Sequence, residues 1–279
     1  MIVDEAHRLN EKSGMFQNLG ENQVKEIINA AKTSIFFVDD FQMVTTKDIG
    51  STNEIKKWCR YFDAEVYEDT LLSQFRCNGS DSYLSWIDNV LEINLEATDD
   101  FDFDYDIRIC DSPEKVRELI LEKNKINNKS RMVAGYCWNW IKEGKNNSDI
   151  HDIQIGDFGM SWNLGSSSTW AIDPESVNEI GCIHTCQGLE FDYVGVIIGE
   201  DLRYDDGIIT DFTKRARTDQ SLKGLKGLYK KNKEEALKIA DRIIKNTYRT
   251  LLTRGQKGCY IYCVDKDLQE YLKKRLKKS

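Results

Sequence analysis

MIVDEAH (residues 1–7) sets a short apolar run directly against two acids and a histidine. A run of this kind reads as a buried strand that delivers Asp4 and Glu5 to its carboxyl end, which is where open α/β sheets bind ligands. Two readings of the acids stand side by side. In one, the first acid holds Mg²⁺ and the second orients or deprotonates an attacking water, as in nucleotide hydrolysis. In the other, they are an ordinary acid pair at a helix N-terminus.

Working outward, further strand-like runs occur at SIFFVDD, AEVYED, DYDIRICD, SRMVAGYCW, EIGCIHT, YVGVIIGE and GCYIYCV. Helix-like stretches separate them at residues 21–32, 47–62, 80–94, 112–127, 233–253 and 265–278, several opening on Ser, Asp or Asn in capping positions. Strands alternating with helices predict a parallel α/β sheet covered on both faces. Two regions break the alternation. Residues 144–176 are rich in turn formers and read as irregular or hairpin-like, and residues 200–232 form a charged insertion with little apolar periodicity.

Composition narrows the class. At 279 residues and 40% hydrophobic content the chain is long enough for one large core or two modest ones. Only 2 prolines and 18 glycines exclude a collagen-like or low-complexity chain. No uncharged apolar run approaches the roughly 18 residues of a membrane span, and no basic-then-apolar leader is present, so the expected location is cytoplasmic. The eight cysteines lie mostly inside apolar runs, as reduced buried thiols do; Cys182, His184 and Cys186 lack the second ligand pair of a finger-like zinc site.

Net charge is −8, yet residues 214–245 carry eleven Lys and Arg against four acids, while residues 96–106 are an acidic run. A local basic face with Lys230 and Lys231 can hold a phosphate backbone even on an acidic chain; solvated helix faces explain the same composition. Trp138, Trp140 and Trp162 are candidate stacking platforms for bases, or core residues.

Four more stretches bear chemistry. SIFFVDDFQ (34–42) ends in Asp39, Asp40 and Gln42; the glutamine is placed to sense a γ-phosphate, or to sit in a solvated loop. LLSQFRCNGSDSYLSWID (71–88) sets Gln74 and Arg76 before a helix, where a forked guanidinium reaches a phosphate or makes a surface ion pair. IHTCQGLEFDYVGVIIGEDL (183–202) carries Gly188, which permits close backbone approach, and Glu190, a carboxylate able to accept from ribose hydroxyls. NTYRTLLTRGQKGCYIY (246–262) puts Arg249 and Arg254 near a helix end, with Arg254 in a position suited to an arginine finger.

Read in order, DEAH, DDFQ, QFRC, HTCQGLEFDYVGV and YRTLLTRGQKG resemble superfamily 1 helicase motifs II to VI. More closely they resemble the Schlafen group 3-like DNA/RNA helicase domain family of P-loop proteins, and GYCWNW and SWNLGSSSTWAIDPESVNEIGC look like that family's intervening segments. The resemblance covers nearly the whole chain and implies a RecA-like fold. It implies Asp4 and Glu5 as the Mg²⁺ and water acids and Gln42 as the γ-phosphate sensor. Arg76, Arg254 and Arg249 become phosphate or nucleotide contacts, with Gly188 and Glu190 beside the nucleotide. His184 and Thr185 match positions that touch single-stranded nucleic acid, and Gln187 stands where many relatives carry lysine.

No GxxxxGK[ST] phosphate loop occurs in the 279 residues. The resemblance places that loop upstream of DEAH, so residues 1–70 are expected to be the last part of a first RecA-like domain. Residues 71–279 are then a complete second one, with the insertion at about 200–232. The expected activity is that of an ATP- and Mg²⁺-dependent helicase-like module, inactive alone, with single-stranded DNA or RNA as partner. The alternative is a non-enzymatic nucleic-acid-binding or protein-interaction module. Sheet strands of residues 1–70 lacking neighbours would expose an apolar face and favour self-association.

Overall fold

In a computed structural model the described residues are all but 15–17, 72–75, 95–104, 142–146, 148, 164–168 and 278–279, with the side chains of Arg76 and Asn78 also left aside. Gln74, most of the acidic run and parts of the turn-rich segment therefore lie outside the described residues. The chain divides into two compact units, residues 1–72 with 220–246, and residues 73–219 with 247–279.

In the first unit, β1 (Ile2–Val3) pairs in parallel with β2 (Ile35–Phe36), Ile2 opposite Ile35 and Val3 opposite Phe36. The two strands leave Ile2 72% and Ile35 49% exposed. Helices α1 (Gln23–Ala30) and α2 (Thr52–Tyr61) pack on each other, and each starts where the sequence offers an oxygen cap: Asn22 accepts from Lys25 N and Ser51 from Glu54 N. AEVYED, read from sequence as a strand, is not one. Residues 64–69 are exposed and enter no ladder among the described residues, and β-branched and aromatic content alone does not hold a strand without a partner.

The second unit is built on a seven-stranded sheet. After helix α3 (Asp81–Val90) come β3 (Asp106–Ile109), α4 (Pro113–Asn127) and β4 (Ser130–Ala134). The turn-rich region supplies the hairpin β5 (Ile153–Ile155) and β6 (Phe158–Trp162), followed by β7 (Glu179–Gly181), the single turn α5 (Ile183–Cys186) and β8 (Phe191–Ile198). The insertion then forms the small hairpin β9 (Leu202–Tyr204) and β10 (Ile208–Thr210), and continues into α6 (Leu225–Lys231), which belongs to the first unit. Helix α7 (Lys233–Leu252), strand β11 (Gly255–Cys263) and helix α8 (Lys266–Lys277) complete the chain.

The strand order is β3-β11-β8-β4-β7-β6-β5, parallel throughout except that β5 runs antiparallel to β6. This is the parallel α/β architecture expected from the alternation, and it agrees with the RecA-like fold that the resemblance implies. β4 is buried at every position, as strands covered on both faces are. The core gathers Val116 and Ile120 of α4, Met132, Ile180, Ile197 and Tyr260. Trp162 is fully buried in it, and Trp138 and Trp140 pack against it, so these rings serve the core. No helix among the described residues is long and apolar enough to cross a membrane.

The chain leaves β4 toward one side of the sheet and leaves β8 toward the other, so the strand order reverses between them. Beyond their carboxyl ends lies a buried charged cluster. Arg215 Nη1 is 3.0 Å from Asp201 Oδ2 and its Nε 2.7 Å from Asp219 Oδ2, with all three side chains at most 1% exposed. Tyr248 donates its hydroxyl proton to Asp201 Oδ1 and accepts from Gly199 N. Burial opposes the guanidinium's charge, but the two carboxylates outweigh it and raise the Arg215 pKa. The same site raises the thiol pKa of Cys137 well above the usual cysteine value, first through burial and then through the charge of Asp201.

All eight cysteines are free thiols. Thiolate fraction falls tenfold per unit of pKa, so Cys137 should react with a disulfide reagent at pH 8 at least about tenfold more slowly in the native than in the denatured chain. Peptide-resolved labelling reads this, and equal rates would refute it.

Candidate functional site

In the first unit, β1 and β2 end side by side, and the acids follow at once. Phe37 N donates to Val3 O and Ala6 N to Phe37 O, each at 2.9 Å, which extends the ladder and holds the two loops together. Glu5 adopts a left-handed conformation, φ 50 and ψ 40, at the head of a 3-10 turn over Ala6–Arg8. Asp4 Oδ1 accepts from Glu5 N at 2.9 Å, and both acids are exposed. On the neighbouring loop, Asp39 Oδ1 accepts from Phe41 N, and Gln42 Nε2 donates to Asp39 Oδ2 at 2.9 Å. Asp40 Oδ1 caps α2 by accepting from Thr52 N. Asp4, Glu5 and Gln42 are thus gathered by the topology, Gln42 with only 5% exposure.

His7 lies between the two loops and is 1% exposed. Its Nδ1 accepts from Asp39 N at 3.4 Å, and its Nε2 stands 3.3 Å from Glu5 Oε2. Gly50 closes this corner from the other side. A Cβ built there would fall 1.7 Å from the carbonyl oxygen of Ala6, so only glycine lets the two backbones approach this closely.

In the second unit, the loop between β7 and β8 carries the other candidates. His184 is exposed and Thr185 partly so, while Cys182 and Cys186 on the same turn are buried. The Thr185 hydroxyl donates to Asn163 Oδ1 at 2.9 Å. Gly188 has φ +84 with nothing within 4 Å of an added Cβ, so backbone conformation and not space selects glycine. Glu190 is exposed beside it.

Arg254 reaches this loop from the end of α7. It is 2% exposed; its Nε donates to Thr250 O at 3.0 Å and its Nη1 to Leu189 O at 3.1 Å, while Phe191 N donates to Arg254 O. The guanidinium therefore braces the Gly188–Glu190 turn against the helix. Arg249 is held elsewhere, by a bidentate pair with Asp88 of α3 at 2.5 and 3.0 Å. Tyr83, also on α3, donates its hydroxyl to Leu252 O at 3.0 Å and satisfies a carbonyl left open at the C-terminal end of α7. Arg76 opens the 3-10 turn Arg76–Gly79 that precedes α3, and its side chain lies outside the described residues. Lys230 and Lys231 are exposed at the end of α6, in the first unit.

Sequence reading missed His7, Asn163 and Asp88 as partners of candidate residues. His7 was visible in DEAH; nothing in the sequence marks the other two, because their partners are distant in the chain.

The oxygen donors of Asp4 and Glu5, exposed at a strand end, suit a hard cation such as Mg²⁺. No glycine-rich phosphate loop accompanies them among the 279 residues.

Compared with known proteins, residues 1–265 match the family model described as Schlafen group 3, DNA/RNA helicase domain. The chain is also 29% identical to an uncharacterized protein of Saccharomyces cerevisiae, YPL245W, across its whole length and 65% of that relative.

Proposed function

The chain belongs to the Schlafen group 3 DNA/RNA helicase domain family, and from that premise we propose that it carries motifs II to VI of an ATP-dependent helicase-like ATPase. The observation that carries this reading is the meeting of Asp4, Glu5 and the Asp39–Gln42 loop at the ends of two adjacent parallel strands. On this reading residues 1–70 belong to a first RecA-like domain and residues 71–279 to a second.

Asp4 would hold Mg²⁺, which neutralises phosphate charge when bound. Glu5 takes the proton of the attacking water, and Gln42 reports on the γ-phosphate. By the family's motif order Arg254, Arg249 and Arg76 would be cationic contacts and Gly188 and Glu190 nucleoside contacts, roles that would require Arg254 to leave Thr250 O and Leu189 O, and Arg249 to leave Asp88. Backbone amides and a lysine that cradle the β- and γ-phosphates supply most phosphate affinity in this class, and the chain contains no such loop. The 279 residues alone should therefore hydrolyse ATP at background rate. Metal-dependent turnover well above a protein-free control, lost on Glu5→Gln, would overturn this.

A nucleic-acid-binding role without hydrolysis is favoured by one observation, the exposure of Lys230 and Lys231 within a basic segment. Binding to a labelled single strand should weaken when both are reversed to glutamate, and the slope of log affinity against log salt should fall by about 1.4, roughly 0.7 per lost phosphate contact. Unchanged affinity and slope in an anisotropy titration would remove these lysines from the interface.

A further inference from the structure

We propose that His7 is a positioning residue for Glu5, fixing the carboxylate of the second acid and tying it to the loop that carries Gln42; this rests on the ATPase reading above.

Three observations carry it. The ring is 1% exposed and its Nδ1 accepts from the backbone N–H of Asp39, so Nδ1 carries no proton and the ring proton of the neutral form sits on Nε2. That Nε2 is buried, finds no well-aligned acceptor among the described residues, and stands 3.3 Å from Glu5 Oε2. A buried N–H with a carboxylate oxygen at that distance and poor alignment needs only a small rotation of the carboxylate to form the bond, and catalytic hydrogen bonds often tighten in this way when substrate binds. Finally, Glu5 is held at φ 50 although it is not glycine. Such a backbone is unfavourable for a residue with a side chain and persists where its surroundings over-determine it. Asp4 Oδ1 on Glu5 N, Arg8 N on Glu5 O and the His7 ring supply that determination.

The consequence is a continuous connection. Gln42 Nε2 bonds Asp39 Oδ2, Asp39 N bonds His7 Nδ1, and His7 Nε2 faces Glu5. Movement of the Gln42 loop on meeting a γ-phosphate would shift Asp39 N, tilt the imidazole and re-aim the Glu5 carboxylate. A histidine suits the post because it is rigid, donates from one edge and accepts on the other.

The chain has three histidines, so selective ¹⁵N-histidine labelling gives a resolvable long-range ¹H–¹⁵N spectrum, with His7 assigned by loss of its signals in His7→Gln. At mildly alkaline pH, His7 should show an unprotonated Nδ1 and a protonated Nε2, and Glu5→Gln should move its Nε2–H resonance while leaving those of His151 and His184 in place. A proton on Nδ1, or a His7 spectrum indifferent to Glu5→Gln, overturns the proposal.

A second arm reads rate. With a phosphate loop supplied in trans, His7→Ala should lower kcat at least tenfold with KM for ATP within twofold, and His7→Gln, which keeps an N–H near the same place, should recover much of it. Equal kcat for wild type and His7→Ala overturns the proposal. If the wild type itself fails to turn over, the ATPase reading falls, and the spectrum still decides whether His7 holds Glu5.

Discussion

Arg215→Met should lower the stability of the second unit by about 3–5 kcal/mol, the range for removing one member of a buried ion pair. Arg215 is the shared counter-charge of Asp201 and Asp219, whose side chains are 0% and 1% exposed. Methionine fills the space but leaves two buried carboxylates without the guanidinium that they share. Domain stabilities lie near 5–15 kcal/mol, so the loss should be visible as a large fall in the urea midpoint. The triple change Arg215→Met, Asp201→Asn, Asp219→Asn should be far less harmful than the single one, because no uncompensated charge remains and neutral replacements of buried networks are often tolerated. A loss under 1 kcal/mol for Arg215→Met alone would show that the cluster is not buried as described.

Gly50→Ala should destabilise the first unit by about 3 kcal/mol, at the upper end of overpacking effects. The reason is the neighbour's identity. The added Cβ meets Ala6 O at 1.7 Å and Ala6 C at 2.7 Å, and a backbone carbonyl cannot swing aside as a side chain can. Relief requires moving Ala6, which carries Glu5 and His7 with it, so the same change should shift the His7 resonances. Retained stability with an unchanged histidine spectrum would show that the two backbones are further apart than 1.7 Å implies.

Much of this was readable from residue order. Ser80 and Ser112 announce the helices they cap, each accepting from the backbone N–H three residues on, whereas the helix read from residue 47 starts only after Ser51. SRMVA reads as a strand buried on both faces because it is one. The acids and the DDFQ loop were legible as two strand ends; that the two strands are neighbours was not. What was not legible required knowing who meets whom. Asp88 and Arg249 are 161 residues apart, and no local pattern announces their pairing. Arg215 counted toward a basic stretch with a solvated or nucleic-acid-facing reading, yet it is buried between two acids and adds nothing to an exposed positive face. AEVYED misled because strand composition describes a residue's fit to a sheet and not the presence of one.

The excursion after β8 is where a protein engineer would cut first, and where lineages ordinarily gain and lose residues. The buried cluster forbids casual trimming. Asp201 lies at the root of the excursion, its counter-ion Arg215 fourteen residues later, and Ala216 N closes the segment by donating to Tyr136 O. Losing the excursion strands an acid in the interior, and losing the acid leaves the arginine without reason to be there. Relatives should therefore have kept or discarded Asp201 and Arg215 together, so that the loop's length and the identity of one interior residue form a single inherited character.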